Sequence, residues 1–420
     1  MKQRRWPYTA VLVLLAVVII SIVSRNPSEP IKIGVLHSLS GTMAFSESSV
    51  VDATLLAIEE INARGGLLGR PLEAIVSDGR SDWQVFARQA EALIRDEGVQ
   101  VIFGCWTSAC RKTVKPVFEA YNHLLIYPVQ YEGLEASPNI VYTGAAPNQQ
   151  IIPAVRWGIE NLGRRVFLVG SDYVFPRTAN EIIRRQVQAL EGEIVGEAYL
   201  LLGDTAVQPI IETIIQTQPD FILNTINGDS NIAFFDGLRA ANIRSEDIPT
   251  LSFSIAEPEL QTLTLDNVVG DYAAWTYFQS IDRPENQAFV ERFHARYGED
   301  RVISDPMEAA YFGVYLWSQA VTDAGDTHPQ VVRRAMHRQS FNAPQGVVYV
   351  DPQTQHVWKT VLVGQIGADG QFKVVWSSVN PVRPLPYLAA YRTQGEWDAF
   401  LHNLYMGWGQ RWANPGTEVE

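Results

Sequence analysis

A chain of 420 residues is too long for one ordinary domain and implies two or more lobes. With 46% hydrophobic and 19% charged residues it has the material for sizeable cores. A formal net charge of −13 argues against nucleic acid as a partner, because no basic surface is at hand to neutralise phosphates.

Residues 1–30 stand apart. Lys2, Arg4 and Arg5 form a basic start, and Tyr8 to Val23 is almost wholly apolar. The run is short for a membrane span and slightly long for a signal core. It reads as an export signal, either removed or kept as an N-terminal membrane anchor. The basic start holds the N-terminus in the cytoplasm and sends the rest outside, to the periplasm or the outer face of the cytoplasmic membrane.

Past Pro30 strands and helices alternate. Ile31–Leu36 reads as a strand, Ser46–Arg64 as a helix stopped by Gly65-Gly66, and Leu72–Val76 as a strand. A helix over Trp83–Glu97, a strand over Val99–Cys105, a helix to about Asn122, and strands at Leu124–Tyr127 and Asn139–Thr143 follow. A second series has helices at Gln149–Asn161, Thr178–Leu190, 207–217 and 231–241. Its strands fall at Val166–Val169, Glu193–Leu201, Phe221–Thr225 and Thr250–Phe253. A strand and two helices are expected over 271–325. Short strands follow at Gly346–Val350, Val361–Ile366 and Phe372–Trp376. This order predicts two doubly wound α/β lobes with parallel sheets.

Ligands of open α/β sheets sit beyond the carboxyl ends of the strands. Here those ends carry polar and aromatic groups from both series: Trp106-Thr107-Ser108, Tyr127 to Tyr131, Ser171-Asp172-Tyr173, and Asn227 to Ser230. One site in a cleft between two lobes is the expectation. The two cysteines, Cys105 and Cys110, are expected to be small buried side chains, their separation being too short for an easy bridge if Cys110 starts a helix.

"SLSGTMA", "EEINARGGLLGRPLE", "GCWTSACRKTVKPVFE" and "YPVQYEGLEASPNIVYTGAAPNQQ" resemble type I periplasmic binding proteins of the branched-chain amino acid and amide group. Within that group the pattern is similar to substrate-binding subunits of urea ABC transporters, with short-chain amide sensors as near relatives. The resemblance covers about residues 31–390. It implies a three-crossing hinge near residues 147, 270 and 345, and closure around a small ligand that is passed to ABC transporter permease subunits. Lobe 1 would then hold 31–147 plus 271–345, lobe 2 would hold 148–270 plus 346–391, and 392–420 would form a separate tail. Urea comes from the resemblance; another small amide, a branched-chain amino acid, or a tethered sensor role is the alternative.

Urea and small amides are neutral and planar, so their site needs hydroxyls, backbone groups and an acceptor rather than a compensating cation. Thr107 and Ser108 supply hydroxyls at a helix start, with Trp106 as a wall. Tyr127 and Tyr173 are the expected contacts from the two lobes. Asp229 and Glu257 are candidate acceptors for N–H groups, and Gln130, Tyr131, Trp275 and Tyr277 are candidate lining residues. There is no G-x-S-x-G elbow, no phosphate-loop pattern and no H-x-x-x-H pair, so a non-enzymatic protein without cofactor or metal is expected. In the tail, Trp397, Phe400, Leu401, Leu404, Tyr405, Trp408 and Trp412 recur at three- and four-residue steps. They predict a helix over about 396–412 whose apolar face docks on the lobes.

Overall fold

The computed structural model describes residues 29–416; nearly all of the expected export signal and the last four residues lie outside the described residues. None of the described helices is long and apolar enough to cross a membrane. The first lobe begins with β1 (Ile31–His37), α1 (Ala44–Ala63), β2 (Leu72–Asp78), α2 (Trp83–Arg95), β3 (Ile102–Gly104), α3 (Ser108–Ala120), β4 (Leu125–Tyr127) and β5 (Ile140–Tyr142). The five strands form a parallel sheet in the order β2-β1-β3-β4-β5. That order reverses direction about β1, so helices cover both faces and the carboxyl ends open on one edge.

The second series is α4 (Ile151–Asn161), β6 (Arg165–Ser171), α5 (Val174–Ala189), β7 (Glu193–Leu200), α6 (Gln208–Thr217), β8 (Phe221–Thr225), α7 (Ser230–Ala240), β9 (Thr250–Ser252), α8 (Glu257–Thr262) and β10 (Tyr272–Trp275). Then come α9 (Pro284–Tyr297), α10 (Asp305–Ala324), α11 (Pro329–Met336), β11 (Ser340–Ala343), β12 (Gly346–Val350), β13 (Val357–Trp358), β14 (Leu362–Ile366), β15 (Phe372–Ser377) and α12 (Gln394–Gly407). The second sheet has seven strands, β15-β14-β10-β9-β8-β6-β7, parallel except for the pairings that β14 makes. Its strand residues alternate between two cores. Val166, Leu168 and Leu223 pack against α4 and α5, while Phe167, Val169 and Ile222 pack against α6 and α7.

Two expected boundaries differ from the observed sheets. β10 lies in the second sheet, between β9 and β14, so the chain returns to the first lobe after Trp275 rather than at 270. The short sheet β11-β12-β13 packs with the first lobe: Ala343, Val348, Val350 and Val357 join its core, and His356 bridges to Tyr142 of β5. The last crossing therefore follows Trp358, not 345. The reason is physical: alternation marks a strand, but the sheet it joins is decided by distant partners. α11 and β11 have no counterpart in the sequence-based expectation.

The crossings are tied together by a buried ionic group. Lys359 Nζ donates to the Thr143 carbonyl at 3.1 Å and lies 3.5 Å from Asp305 Oδ1. Asp305 Oδ2 in turn accepts the Thr276 backbone N–H at 2.9 Å. One residue from each crossing thus meets at a single hub, which limits how the lobes move about it.

Candidate functional site

The stretch Gly104 to Cys110 joins β3 to α3. A Cβ on Gly104 would stand 2.3 Å from the Leu36 carbonyl oxygen, so only glycine lets β3 run this close to β1. Cys105 then adopts φ +65, the left-handed region, and the chain doubles back. That turn brings the Cys105 and Cys110 Cα atoms to 5.7 Å, and the two residues form a disulfide. The expectation of two free cysteines is corrected on this point. Spacing alone made the separation too short for an easy bridge, and the left-handed Cys105 turns the chain so that the two Cα atoms stand at bridging distance. Thr107 caps α3, its Oγ1 accepting the Cys110 N–H at 3.1 Å.

Ser108 opens the helix, and its hydroxyl is hydrogen-bonded to Glu132. Arg111, one turn on and fully buried, donates to Ser108 Oγ at 3.0 Å, Glu132 Oε1 at 3.1 Å and Glu135 Oε1 at 2.9 Å. Lys112 Nζ lies 3.3 Å from Glu135 and 3.7 Å from Glu132. Burial alone would push the Glu135 carboxyl up, but Arg111 and Lys112 overcome it and hold the group well below the usual carboxylate range. Burial works against the Arg111 cation too, and Glu135 and Glu132 restore it. Two cations and two carboxylates are thus paired inside the site, and no described charge among the four is left for a charged ligand.

In front of this group lies a narrow, partly open crevice between the lobes, lined by Trp106, Ser108, Val129 and Gln130 from one side and Tyr173, Phe175 and Asn227 from the other. Gln130 Nε2 reaches across to the Phe253 carbonyl at 2.8 Å. Its Oε1 and the Trp106 Nε1 are buried with no protein partner. An acceptor and a donor are therefore presented together, with the Tyr173 phenol as a third polar group. Burial pushes that phenol well above its usual range, so it stays protonated.

Of the residues singled out from sequence, Trp106, Ser108, Gln130 and Tyr173 meet at this crevice. Thr107 is a helix cap. Tyr127 donates its hydroxyl to the Trp106 carbonyl at 2.6 Å and so stands behind the wall. Asp229 sits on the exposed rim, 3.5 Å from Thr42 Oγ1 of the other lobe. Glu257 is buried away from the crevice, accepting the Gln279 N–H at 2.7 Å. Trp275 donates Nε1 to the Ile255 carbonyl at 2.7 Å within the second-lobe core. Tyr131 bonds His356 and stacks on Tyr142 at 5.2 Å, and Tyr277 donates to Asn286 Oδ1 at 2.7 Å. Sequence reasoning missed Glu132 and Arg111. Nothing in their spacing announces a buried pair.

Two α/β lobes joined by three crossings, with a small polar crevice between their strand ends, define a ligand-capturing binding protein. The chain belongs to the family described as periplasmic binding protein domain, whose model matches residues 31–393. A Leu/Ile/Val-binding protein homolog 6 of Brucella melitensis is 22% identical over 282 residues, 66% of this chain and 72% of that protein. A solute binding protein from R. palustris, solved with 4-hydroxybenzoate, is similar at TM-score 0.75 and 23% identity, covering 83% of this chain and 97% of the other. The branched-chain amino acid transporter substrate binding protein LivJ of Streptococcus pneumoniae, solved with isoleucine, is similar at TM-score 0.74 and 21% identity, covering 85% and 100%. A protein named limonene hydroxylase from Geobacillus stearothermophilus is 34% identical over 119 residues, 28% of this chain and 22% of that protein's length. That short stretch carries no argument about activity.

Proposed function

We propose that this is an extracytoplasmic solute-binding protein that captures a small neutral solute bearing N–H groups, urea or a short amide, and delivers it to the permease subunits of an ABC transporter. The observation that carries the ligand assignment is a pair of buried atoms without a protein partner on residues that line the crevice, an acceptor (Gln130 Oε1) and a donor (Trp106 Nε1), while the charges behind them are already paired. A neutral donor–acceptor molecule satisfies both atoms, and each buried polar atom left unmet costs ~1–3 kcal/mol. Transport is the reading supported by the family and by relatives titled as ABC transporter binding proteins.

A second reading is an amino acid or aromatic acid. It is favoured by the carboxylate on the ligands of the similar structures and by the first turn of α3, whose N–H groups lack intrahelical partners and suit an anion. Titration calorimetry with urea, acetamide, leucine and 4-hydroxybenzoate separates them. Heat from urea or acetamide with silence from the two carboxylates supports the first reading. The reverse pattern assigns the second, and silence from all four removes both.

A further inference from the structure

The family match ends at residue 393, and the chain that follows is built into the cleft wall. α12 lies on the second lobe with Trp397 and Leu401 in its core. After it, Gly409 and Gln410 both take positive φ, +63 and +61, and the chain reverses. It then runs beside the turn that leads from β6 into α5. The Val174 N–H donates to the Trp412 carbonyl at 3.0 Å, and the Asn414 N–H donates to the Asp172 carbonyl at 2.9 Å. Asn414 Nδ2 donates to Asp172 Oδ2 at 2.6 Å, and Tyr173 forms an antiparallel bridge with Ala413. Tyr173 is the residue between these contacts, and it lines the crevice between the lobes.

The same segment touches the opposite lobe. Lys112 Nζ of α3 stands 5.0 Å from the centre of the Trp412 ring, which is braced by Tyr405 at 4.6 Å. Lys112 is one of the two cations that hold Glu132 and Glu135.

We infer that residues 411–416 are a working part of the cleft, in which Asn414 and Trp412 are positioning residues: Asn414 fixes the turn that presents Tyr173, and Trp412 bears on Lys112 across the lobe boundary. The ligand half of this inference rests on the cleft proposed above; the structural half does not. The Trp412–Lys112 contact joins two bodies that separate on opening, so it favours the closed state and with it ligand retention.

The test uses the full chain and the variants Asn414→Ala, Trp412→Ala and Trp412→Phe. Hydrogen exchange without ligand is read on peptides covering 171–176 and 108–116, and dissociation constants are measured for whichever of the four panel compounds the wild type binds. Asn414→Ala is expected to speed exchange at 171–176 and to raise the dissociation constant roughly two- to tenfold, one hydrogen bond's worth. Trp412→Ala is expected to speed exchange at 108–116 with a similar loss of affinity, and Trp412→Phe to restore both. A tail that only stabilises the fold shifts melting temperature and leaves affinity and these two peptides as in the wild type; that result overturns the inference. If the wild type binds none of the compounds, the functional reading fails. Exchange then decides alone: faster exchange supports the brace, and unchanged exchange overturns it.

Discussion

At the scale of single residues, Tyr127 shows how a correct location can carry a different task. It ends β4 at the cleft, yet its hydroxyl is spent on the Trp106 carbonyl. Tyr127→Phe should therefore lower stability by ~1–3 kcal/mol, the cost of a buried carbonyl losing its donor, and should act on ligand only through the Trp106 wall. Denaturant unfolding checks this; an unchanged midpoint would mean that the carbonyl finds another donor. Glu257 makes a prediction in pH. Burial pushes its carboxyl from 4.5 up to about 8, with Glu259 and Asp305 adding to the shift and the Gln279 N–H opposing it. The folded chain keeps this proton up to about pH 8, whereas the unfolded chain releases it near 4.5. Between those values the native state binds more protons, so this group's contribution to stability falls as pH rises. Glu257→Gln keeps an acceptor for Gln279 and removes the ionisation. Its melting temperature relative to wild type should climb from pH 5 to pH 8, and a difference that stays flat across that window would sink the assignment.

At the scale of elements, the β3–α3 connection is held by three devices: a glycine that admits a close strand, a left-handed cysteine and a cross-link over one helical turn. Removing the cross-link in Cys105→Gly/Cys110→Ala should cost about 2 kcal/mol, the loop-closure value for so short a ring, because glycine tolerates the backbone. Cys105→Ala/Cys110→Ala should cost about 1–2 kcal/mol more, because alanine must hold positive φ unaided. Equal denaturation midpoints for the two double variants would show that the turn relaxes once the bridge is gone. Much of this architecture was legible in sequence. Helical and alternating periods located most elements to within a few residues, and the aromatic stripe announced α12, although Gly407 and Gly409 end it early, at 407. The bridge was not legible, since one backbone angle decides it. Nor was the Arg111–Glu132–Glu135 group, since burial of charges depends on partners far away in the chain.

At the scale of the molecule, side-chain bonds cross the cleft from one lobe to the other. Ser46 Oγ donates to Glu259 Oε1 at 2.7 Å, and Gln130 Nε2 donates to the Phe253 carbonyl at 2.8 Å; each spans the cleft. Strand-end chemistry led to the expectation that both lobes contribute, but the sequence assigned β10, β12 and β13 to the wrong sides, because pairing across the hinge has no local signature. These cross-lobe bonds must break on opening, while the Lys359–Asp305 hub stays at the pivot. A ligand that meets Gln130 and Tyr173 together binds the closed state better than the open one, so it must shift the population toward closure. Small-angle scattering of the full chain should therefore show a smaller radius of gyration at saturating ligand. Ser46→Ala, which removes one closing bond of about 1 kcal/mol, should enlarge the ligand-free radius and weaken binding roughly fivefold while leaving the liganded radius at the wild-type value. A ligand that demonstrably binds and yet leaves the scattering curve unchanged would mean either that the lobes are already shut without it or that it binds elsewhere. The Ser46→Ala curve decides between them: a larger radius that ligand restores shows a cleft that was already closed, and an insensitive radius rules out the two-lobe clamp.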